Sequence, residues 1–268
     1  MAVYGLIADL HGNREALSAA LELLGSRNVG SIACLGDIVG YNADPDECVA
    51  MVRSRRAVAI AGNHDLIGLG RLDFERCSNK AMYSLKRTRR ALAAHSAEYL
   101  AALPARRLLE EGVVLVHGGV RDVQQYMVSA SLIRQNAEYL REDFPGARLC
   151  FFGHSHEQKV YEVAGDEVRE VPACKKIRLK KRPVYFINPG SVDASRKHGR
   201  KLAECAILDS DAWTIEFLSV PYDAAATEAK AAVFGYRITP LIDRLYSLRR
   251  RLGRLPQKLG LLRTAAAR

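Results

Sequence analysis

The stretch FFGHSHEQ, residues 151–158, places two histidines on either side of one serine, directly after an apolar run. Alternate residues of an extended segment point to the same side, so His154 and His156 can face one object. The 268-residue chain has only seven histidines. A metal ion, a substrate or the neighbouring loop would each account for such a pair, and the other apolar runs of the chain decide between them.

Apolar runs that end in polar residues recur along the chain. Short runs of this kind, bounded by glycine and turn residues, are typical of buried strands. They lie at 3–8, 31–35, 57–61, 113–116, 148–152 and 184–187. Apolar residues at helical spacing predict helices over 13–26, 44–54, 75–102 (one or two helices), 131–143, 223–235 and 238–253.

The alternation of strands and helices predicts an α/β fold. After residue 150 several strands follow one another, so we expect the second half of the chain to be more antiparallel. The predicted architecture is two packed mixed β-sheets flanked by helices, formed by residues 1–222. Residues 223–268 are predicted to be a basic, helical C-terminal extension.

Composition limits the class of protein. Hydrophobic and charged contents of 49% and 26% are ordinary for a globular protein. No apolar run reaches the length of a membrane span, and the N-terminus lacks the basic region of a signal peptide. The six cysteines contain no CxxC pair. We therefore expect a cytoplasmic protein with reduced, mostly buried thiols.

The net charge of +10 favours anionic partners. The basic run at 175–182 alternates in a way that suggests a solvated edge strand, and few aromatic residues interleave to stack bases. Nucleic acid is therefore a possible partner but not the favoured one. The C-terminal segment has leucines at roughly helical spacing with arginines between them, which favours packing on the body or homo-oligomer formation over contact with lipid.

Seven candidate ligands follow five of the six apolar runs. A single histidine after a strand is more often a loop residue than a ligand, but five such strand ends favour a site, because ligands of α/β sheets bind outside the carboxyl ends of strands. Imidazole and carboxylate together suit divalent Mn, Fe, Ni or Zn. Seven ligands suffice for two ions if one carboxylate bridges them, and paired ions serve phosphoryl chemistry. The seven candidates are Asp9, His11, Asp37, Asn63, His117, His154 and His156.

The same motifs, in the same order, resemble those of the calcineurin-like metallophosphoesterases. The matching motifs are Asp9-x-His11, Gly36-Asp37, Gly62-Asn63-His64-Asp65, His117-Gly118 and Gly153-His154-Ser155-His156. The longer stretches DLHGNREAL, CLGDIVGYNADPDECV and INPGS are similar to a compact bacterial subfamily of phosphoesterases. The resemblance covers about residues 1–220.

The resemblance implies two divalent ions, with Mn²⁺ favoured over Fe, Ni or Zn. The first would be held by Asp9, His11 and His156, and the second by Asn63, His117 and His154. Asp37 would bridge them, with a hydroxide between the ions as the nucleophile. His64 would assist the leaving oxygen, and Asp65 would orient His64.

Four further residues are candidates for binding substrate. Arg121 and Arg196 could pair with a phosphate, and a solvent-exposed arginine is the alternative for each. Asn13 and Tyr41 lie just past strand ends, and Asn13 has the alternative role of a helix N-cap. The predicted function is hydrolysis of a small phosphate ester, most simply a nucleotide-like phosphodiester. A phosphomonoesterase, a nuclease and a catalytically silent scaffold are the alternatives.

Overall fold

The computed structural model describes residues 3–194 and 199–258, with side chains described to residue 250. The strands are β1 (Val3–Ile7), β2 (Ser31–Cys34), β3 (Val58–Ala59), β4 (Arg106–Glu110), β5 (Val113–Val116), β6 (Leu149–Phe151), β7 (Gln158–Ala164), β8 (Glu167–Val171), β9 (Lys176–Arg178), β10 (Val184–Pro189), β11 (Leu202–Asp209) and β12 (Thr214–Pro221). The helices are α1 (Arg14–Gly25), α2 (Pro45–Ser54), α3 (Asn63–Gly68), α4 (Asn79–Ala91), α5 (Ala94–Ala101), α6 (Ala130–Asp143), α7 (Ala224–Val233) and α8 (Pro240–Lys258).

The strands form two six-stranded mixed sheets, as predicted. Their orders are β3-β2-β1-β11-β12-β9 and β4-β5-β6-β10-β7-β8. Strands from the first half of the chain pair mainly in parallel, whereas the neighbours of β7, β8, β9, β11 and β12 are antiparallel. The basic segment that was expected at a sheet edge contains β9, which ends the first sheet.

The continuous apolar runs reflect burial on both faces of each sheet. In β1 and its extension, Leu6 and Ala8 pack between the two sheets, while Ile7 faces the outer layer that contains α1. In the second sheet Phe151 packs inward and Cys150 faces the layer that contains α6. Since both faces are covered, the strands need no polar alternation.

Two short elements were not predicted. The six-residue helix α3 begins at Asn63, inside a predicted ligand motif, and the edge strand β4 has the sequence RRLLE. Both have too few apolar residues for their periodicity to be recognised.

The C-terminal helices pack on the sandwich. Helix α7 contacts α1, and α8 contacts α4. Leu241, Leu245 and Leu248 of α8 are exposed, and no helix among the described residues is long and apolar enough to cross a membrane. A domain boundary at residue 222 and a homo-oligomer formed through these helices stay predictions.

Candidate metal centre

The candidate ligands lie in loops that follow the carboxyl ends of strands in both sheets. Asp9 and His11 follow β1, Asp37 follows β2, and Asn63 follows β3 in the first sheet. His117 follows β5 and the pair at 154 and 156 follows β6 in the second sheet. The neighbours β1 and β2, β2 and β3, and β5 and β6 are parallel, so these loops emerge at a common edge of each sheet.

One group of ligands combines Asp9, His11 and His156. The Nε2 atoms of His11 and His156 lie 3.1 Å apart, and Nε2 of His156 lies 3.4 Å from Oδ1 of Asp9. All three side chains are buried. One ligand atom from each lies within 4.8 Å of the others, which is close to the span of about 4 Å across a small metal ion.

A second group combines Asp37, His117 and His154, with Asn63 beside it. Nε2 of His117 lies 3.3 Å from Oδ2 of Asp37 and 3.1 Å from Oδ1 of Asn63. The same Asp37 oxygen lies 3.8 Å from Nε2 of His11, in the first group. Asp37 therefore lies between the two groups.

The backbone of this site is strained at the ligands themselves. Asp9, His11, Asp37, His154 and His156 all have positive φ angles, between 51° and 65°. Residues other than glycine rarely adopt this conformation, which costs about 1–3 kcal/mol each when it is forced. Such strain is typical of functional sites, because it aims side chains inward at the expense of local stability.

Close backbone approach adds a second constraint. A Cβ atom on Gly62 would overlap the Asp37 carboxylate. The backbone N–H of His64 donates to the same carboxylate at 2.7 Å. Glycine is therefore required at position 62 for Asp37 to reach its place.

The neighbouring charges set the protonation of these groups. Burial raises the pKa of Asp37, but His117 and His64 outweigh it and hold that pKa well below its usual range. Burial lowers the pKa of His117, but Asp37 outweighs this and raises it to about 9. Burial and the charge of His64 lower the pKa of His11 well below its usual range. A charged carboxylate therefore lies at the centre of the site, where it attracts cations.

A hydrogen bond at Nδ1 orients the imidazole of His117. Its Nδ1 lies 2.7 Å from the carbonyl oxygen of Leu35. A carbonyl only accepts hydrogen bonds, so Nδ1 carries the proton and Nε2 faces Asp37 and Asn63. This arrangement is typical of metal-ligating histidines.

A shell of buried amides supports the ligand loops. Asn188 donates to the Gly153 carbonyl at 2.8 Å and to the Ser155 hydroxyl at 2.9 Å, which holds the loop with His154 and His156. Asp193 accepts from Asn13 and Asn42 at 2.8 and 3.1 Å. Asn42 also donates to the His11 carbonyl. The sequence motifs include Asn13, Asn42 and Asn188, but the role of Asp193 was missed.

A cavity of about 300 Å³ opens onto the ligands. Six of the predicted residues line it: Asp37, Tyr41, Asn63, His64, His154 and His156. The rings of Tyr41 and His64 lie 4.9 Å apart, and each lies within 4.6 Å of the His11 ring. The structure therefore places His64 and Tyr41 where a ligand of the centre would contact them.

The position of Asp65 differs from the expectation. Its carboxylate oxygens accept the backbone N–H groups of Val39 and Gly62 at 3.1 and 2.9 Å. Asp65 therefore holds two ligand loops together and makes no hydrogen bond to the His64 ring. The sequence showed only that the two residues are adjacent.

Two of the expected substrate-binding residues are engaged elsewhere. Arg121 pairs with Glu142 and Asp143 of α6, at 2.7 and 2.6 Å, and does not line the cavity. Asn13 is fully buried and caps α1 by accepting the Ala16 N–H, as in its alternative role. Arg196 lies outside the described residues. Sequence reasoning missed Arg76, Lys80, Gln124 and Tyr126, which line the cavity but belong to no recognised motif.

The donor set fits divalent cations. Imidazole nitrogens, carboxylates and one amide oxygen converge without a thiolate, and such sets suit Mn, Fe, Ni or Zn.

Comparison with known proteins agrees with the site. Residues 1–212 match the calcineurin-like phosphoesterase superfamily domain. The chain belongs to that superfamily. It is 31% identical to an uncharacterized protein of Methanocaldococcus jannaschii over 225 residues, which is 81% of this chain and 87% of that protein.

Two solved structures share the fold of this chain. A metallophosphoesterase from Sphaerobacter thermophilus is similar with a TM-score of 0.72 and 30% identity, over 90% of this chain and 96% of that one. A hypothetical protein from Pyrococcus horikoshii has a TM-score of 0.67 and 18% identity, over 91% and 97% of the two chains. The predicted family and fold are therefore confirmed. Dependence on a divalent metal is typical of the superfamily, and the His and Asp groups of this chain could bind one.

Proposed function

We propose that the protein is a phosphoric ester hydrolase that uses two divalent ions and prefers small nucleotide-like phosphodiesters. The observation that carries the proposal is the position of Asp37. One of its oxygens lies within 3.8 Å of His11 and within 3.3 Å of His117, so it is shared by both ligand groups.

The ligand roles in this proposal follow the two groups. Asp9, His11 and His156 would hold one ion, Asn63, His117 and His154 would hold the other, and Asp37 would serve both. Mn²⁺ is the proposed metal. When bound, two such ions supply an activated water nucleophile and neutralise charge on the phosphoryl oxygens.

His64 is the proposed proton donor to the leaving oxygen. Its side chain lines the cavity, and its backbone N–H is fixed by Asp37. An alkoxide is a poor leaving group and benefits from a positioned acid in diesters and monoesters alike, so the assay below compares the two classes directly. Tyr41, packed against His64, is proposed to contact substrate and to limit the movement of that ring.

The proposal is tested with metal-stripped protein reloaded in turn with Mn²⁺, Fe²⁺, Ni²⁺, Zn²⁺ or Mg²⁺. Hydrolysis of bis(nitrophenyl) phosphate and nitrophenyl phosphate is measured for each. Asp37→Asn is the test variant, and Asp166→Asn, at an exposed position in the β7–β8 turn, is the matched control.

Metal-dependent diester hydrolysis that is lost in Asp37→Asn and kept in Asp166→Asn supports the proposal. Turnover of the monoester alone would replace the diesterase by a phosphomonoesterase. Absence of turnover with any ion, in protein that holds two ions per chain, would contradict the enzyme and favour the scaffold.

A further inference from the structure

Lys80 lies in the first turn of α4 and lines the same cavity as the candidate metal centre. Its ammonium nitrogen lies 5.4 Å from the centroid of the Tyr41 ring. That ring lies 4.6 Å from the His11 ring and 4.9 Å from the His64 ring. The Tyr41 ring therefore lies close to the Lys80 ammonium and to two imidazoles of the centre.

The charge of Lys80 is only partly offset by the protein, through the more distant carboxylates of Asp193 and Glu228. Among the described side chains, no carboxylate lies within ion-pair distance of Lys80, and its ammonium donates no hydrogen bond. Burial and the nearby charge of Arg237 lower the pKa of Lys80. A partly buried ammonium without a counter-ion costs free energy, which binding of an anion would recover.

The other basic side chains nearby are already engaged. Arg76 pairs with Asp122 at 2.8 Å and donates to the Gln124 carbonyl. Arg237 pairs with Glu228 at 2.7 Å and donates to Asn42. Both guanidinium groups therefore already have a carboxylate partner, whereas Lys80 has none within ion-pair distance among the described side chains.

The N-terminus of α4 adds positive potential at the same place. Ser78 caps this 13-residue helix by accepting the Ala81 N–H, and both residues line the cavity beside Lys80. The partial positive charge of a helix N-terminus favours anions within its first turn. The Lys80 ammonium and the N-terminus of α4 therefore both favour an anion in this part of the cavity.

We infer that Lys80 binds a second anionic group of the substrate, a phosphate carried next to the phosphate at the metal centre. The inference rests on the proposed function, and it narrows the substrate class to nucleotides with two phosphates, such as nucleoside bisphosphates or their esters. A substrate with one phosphate leaves Lys80 without a partner. Lys80 is in this view a residue that determines specificity and takes no part in the chemical step.

Binding tests the inference without requiring turnover. The full-length, metal-loaded protein is titrated calorimetrically with adenosine 5′-phosphate and with adenosine 3′,5′-bisphosphate, using the ion that gives the slowest turnover. Lys80→Met removes the charge and keeps the length of the side chain. Lys181→Met, at an exposed position before β10, is the matched control.

We expect the bisphosphate to bind wild type about tenfold more tightly than the monophosphate, the effect of one charge-assisted contact. In Lys80→Met this ratio falls to about one, while monophosphate affinity stays within about twofold. The Lys181→Met protein keeps the wild-type ratio. Equal affinities in wild type, an unchanged ratio in Lys80→Met, or equal weakening of both ligands would each overturn the inference.

The rates of hydrolysis of two substrates distinguish failure of this inference from failure of the proposed function. The nitrophenyl ester of thymidine 5′-phosphate and the same ester with an added 3′-phosphate release one chromophore and differ by one phosphate. Hydrolysis of both without preference supports the hydrolase and contradicts the role of Lys80. No hydrolysis together with a tenfold binding ratio that Lys80→Met abolishes contradicts the hydrolase and supports the subsite.

Discussion

The Nε2 atoms of His11 and His156, which are 145 residues apart in the chain, lie 3.1 Å from each other. Two imidazole nitrogens bound at about 2.1 Å to one ion lie roughly 3.0–3.4 Å apart, depending on the angle between them. The two lone pairs would repel each other without a proton or a cation between them. The spacing of the two Nε2 atoms therefore fits one cation bound by both nitrogens.

Replacing one histidine of a ligand group should remove the ion that this group binds. We expect two ions per chain in wild type and about one in His156→Ala and in His154→Ala. The double variant should hold fewer than one. Metal content after dialysis measures this directly, with His95→Ala, on the exposed side of α5, as the control. Unchanged stoichiometry in either single variant would contradict the proposed ligand set.

The His64→Ala variant should lose activity according to the leaving group. A positioned acid contributes about 10²–10⁴-fold, and more where the leaving oxygen is strongly basic. We expect a larger fall for an alkyl diester than for a nitrophenyl diester, with metal content unchanged. Steady-state rates for the two diesters measure the difference. Equal losses for both would mean that His64 positions the substrate and does not transfer a proton.

Replacement of Asn188 by Ala should weaken metal binding through the loop that it supports. Its buried amide donates to Gly153 and Ser155, and loss of these bonds should cost about 1–3 kcal/mol of unfolding free energy. The Kd for metal should rise, since both histidines of this loop lose their support. Tyr185→Phe is the control, because its hydroxyl donates to Glu162 and accepts from the Lys180 N–H, neither of which is a ligand or lies in a ligand loop. It should lose stability without losing metal affinity.

Two glycines with the same backbone conformation should respond differently to alanine. Gly36 and Gly146 have φ angles of 87° and 88°. A Cβ on Gly36 would overlap the backbone of Gly62, whereas one on Gly146 meets nothing within 4 Å. Gly146→Ala should therefore cost only about 1–2 kcal/mol of conformational strain. Gly36→Ala should cost more and should reduce metal content as well; urea unfolding and metal analysis compare them.

The sequence predicted which loops form the centre, because each ligand is close in sequence to the strand that positions it. Each ligand lies within a few residues of an apolar run, so residue type and position together indicated the convergence of Asp9, Asp37 and His117. The ion pairs of Arg121 could not be predicted. Its partners Glu142 and Asp143 lie 21 and 22 residues further on, at the end of a helix whose position in the fold the sequence pattern does not give. Lys80 was missed for a similar reason, because in the sequence it is one lysine within an ordinary helical pattern.

The C-terminal helix α8 should stiffen the wall of the cavity. Arg250 donates to the carbonyl oxygens of Phe74 and Cys77, just before α4, and Asn79 donates to Asp243 at 2.9 Å. Arg250→Ala leaves these carbonyls without their donor, so the segment 72–81 should open more often.

Hydrogen exchange measures this opening segment by segment. We expect faster exchange over 72–81 in Arg250→Ala and, because Lys80 belongs to that wall, a higher KM with little change in kcat. Arg249→Ala, at the neighbouring exposed position, should behave like wild type in both assays. If exchange over 72–81 is the same in the two variants, α8 covers α4 without supporting the cavity.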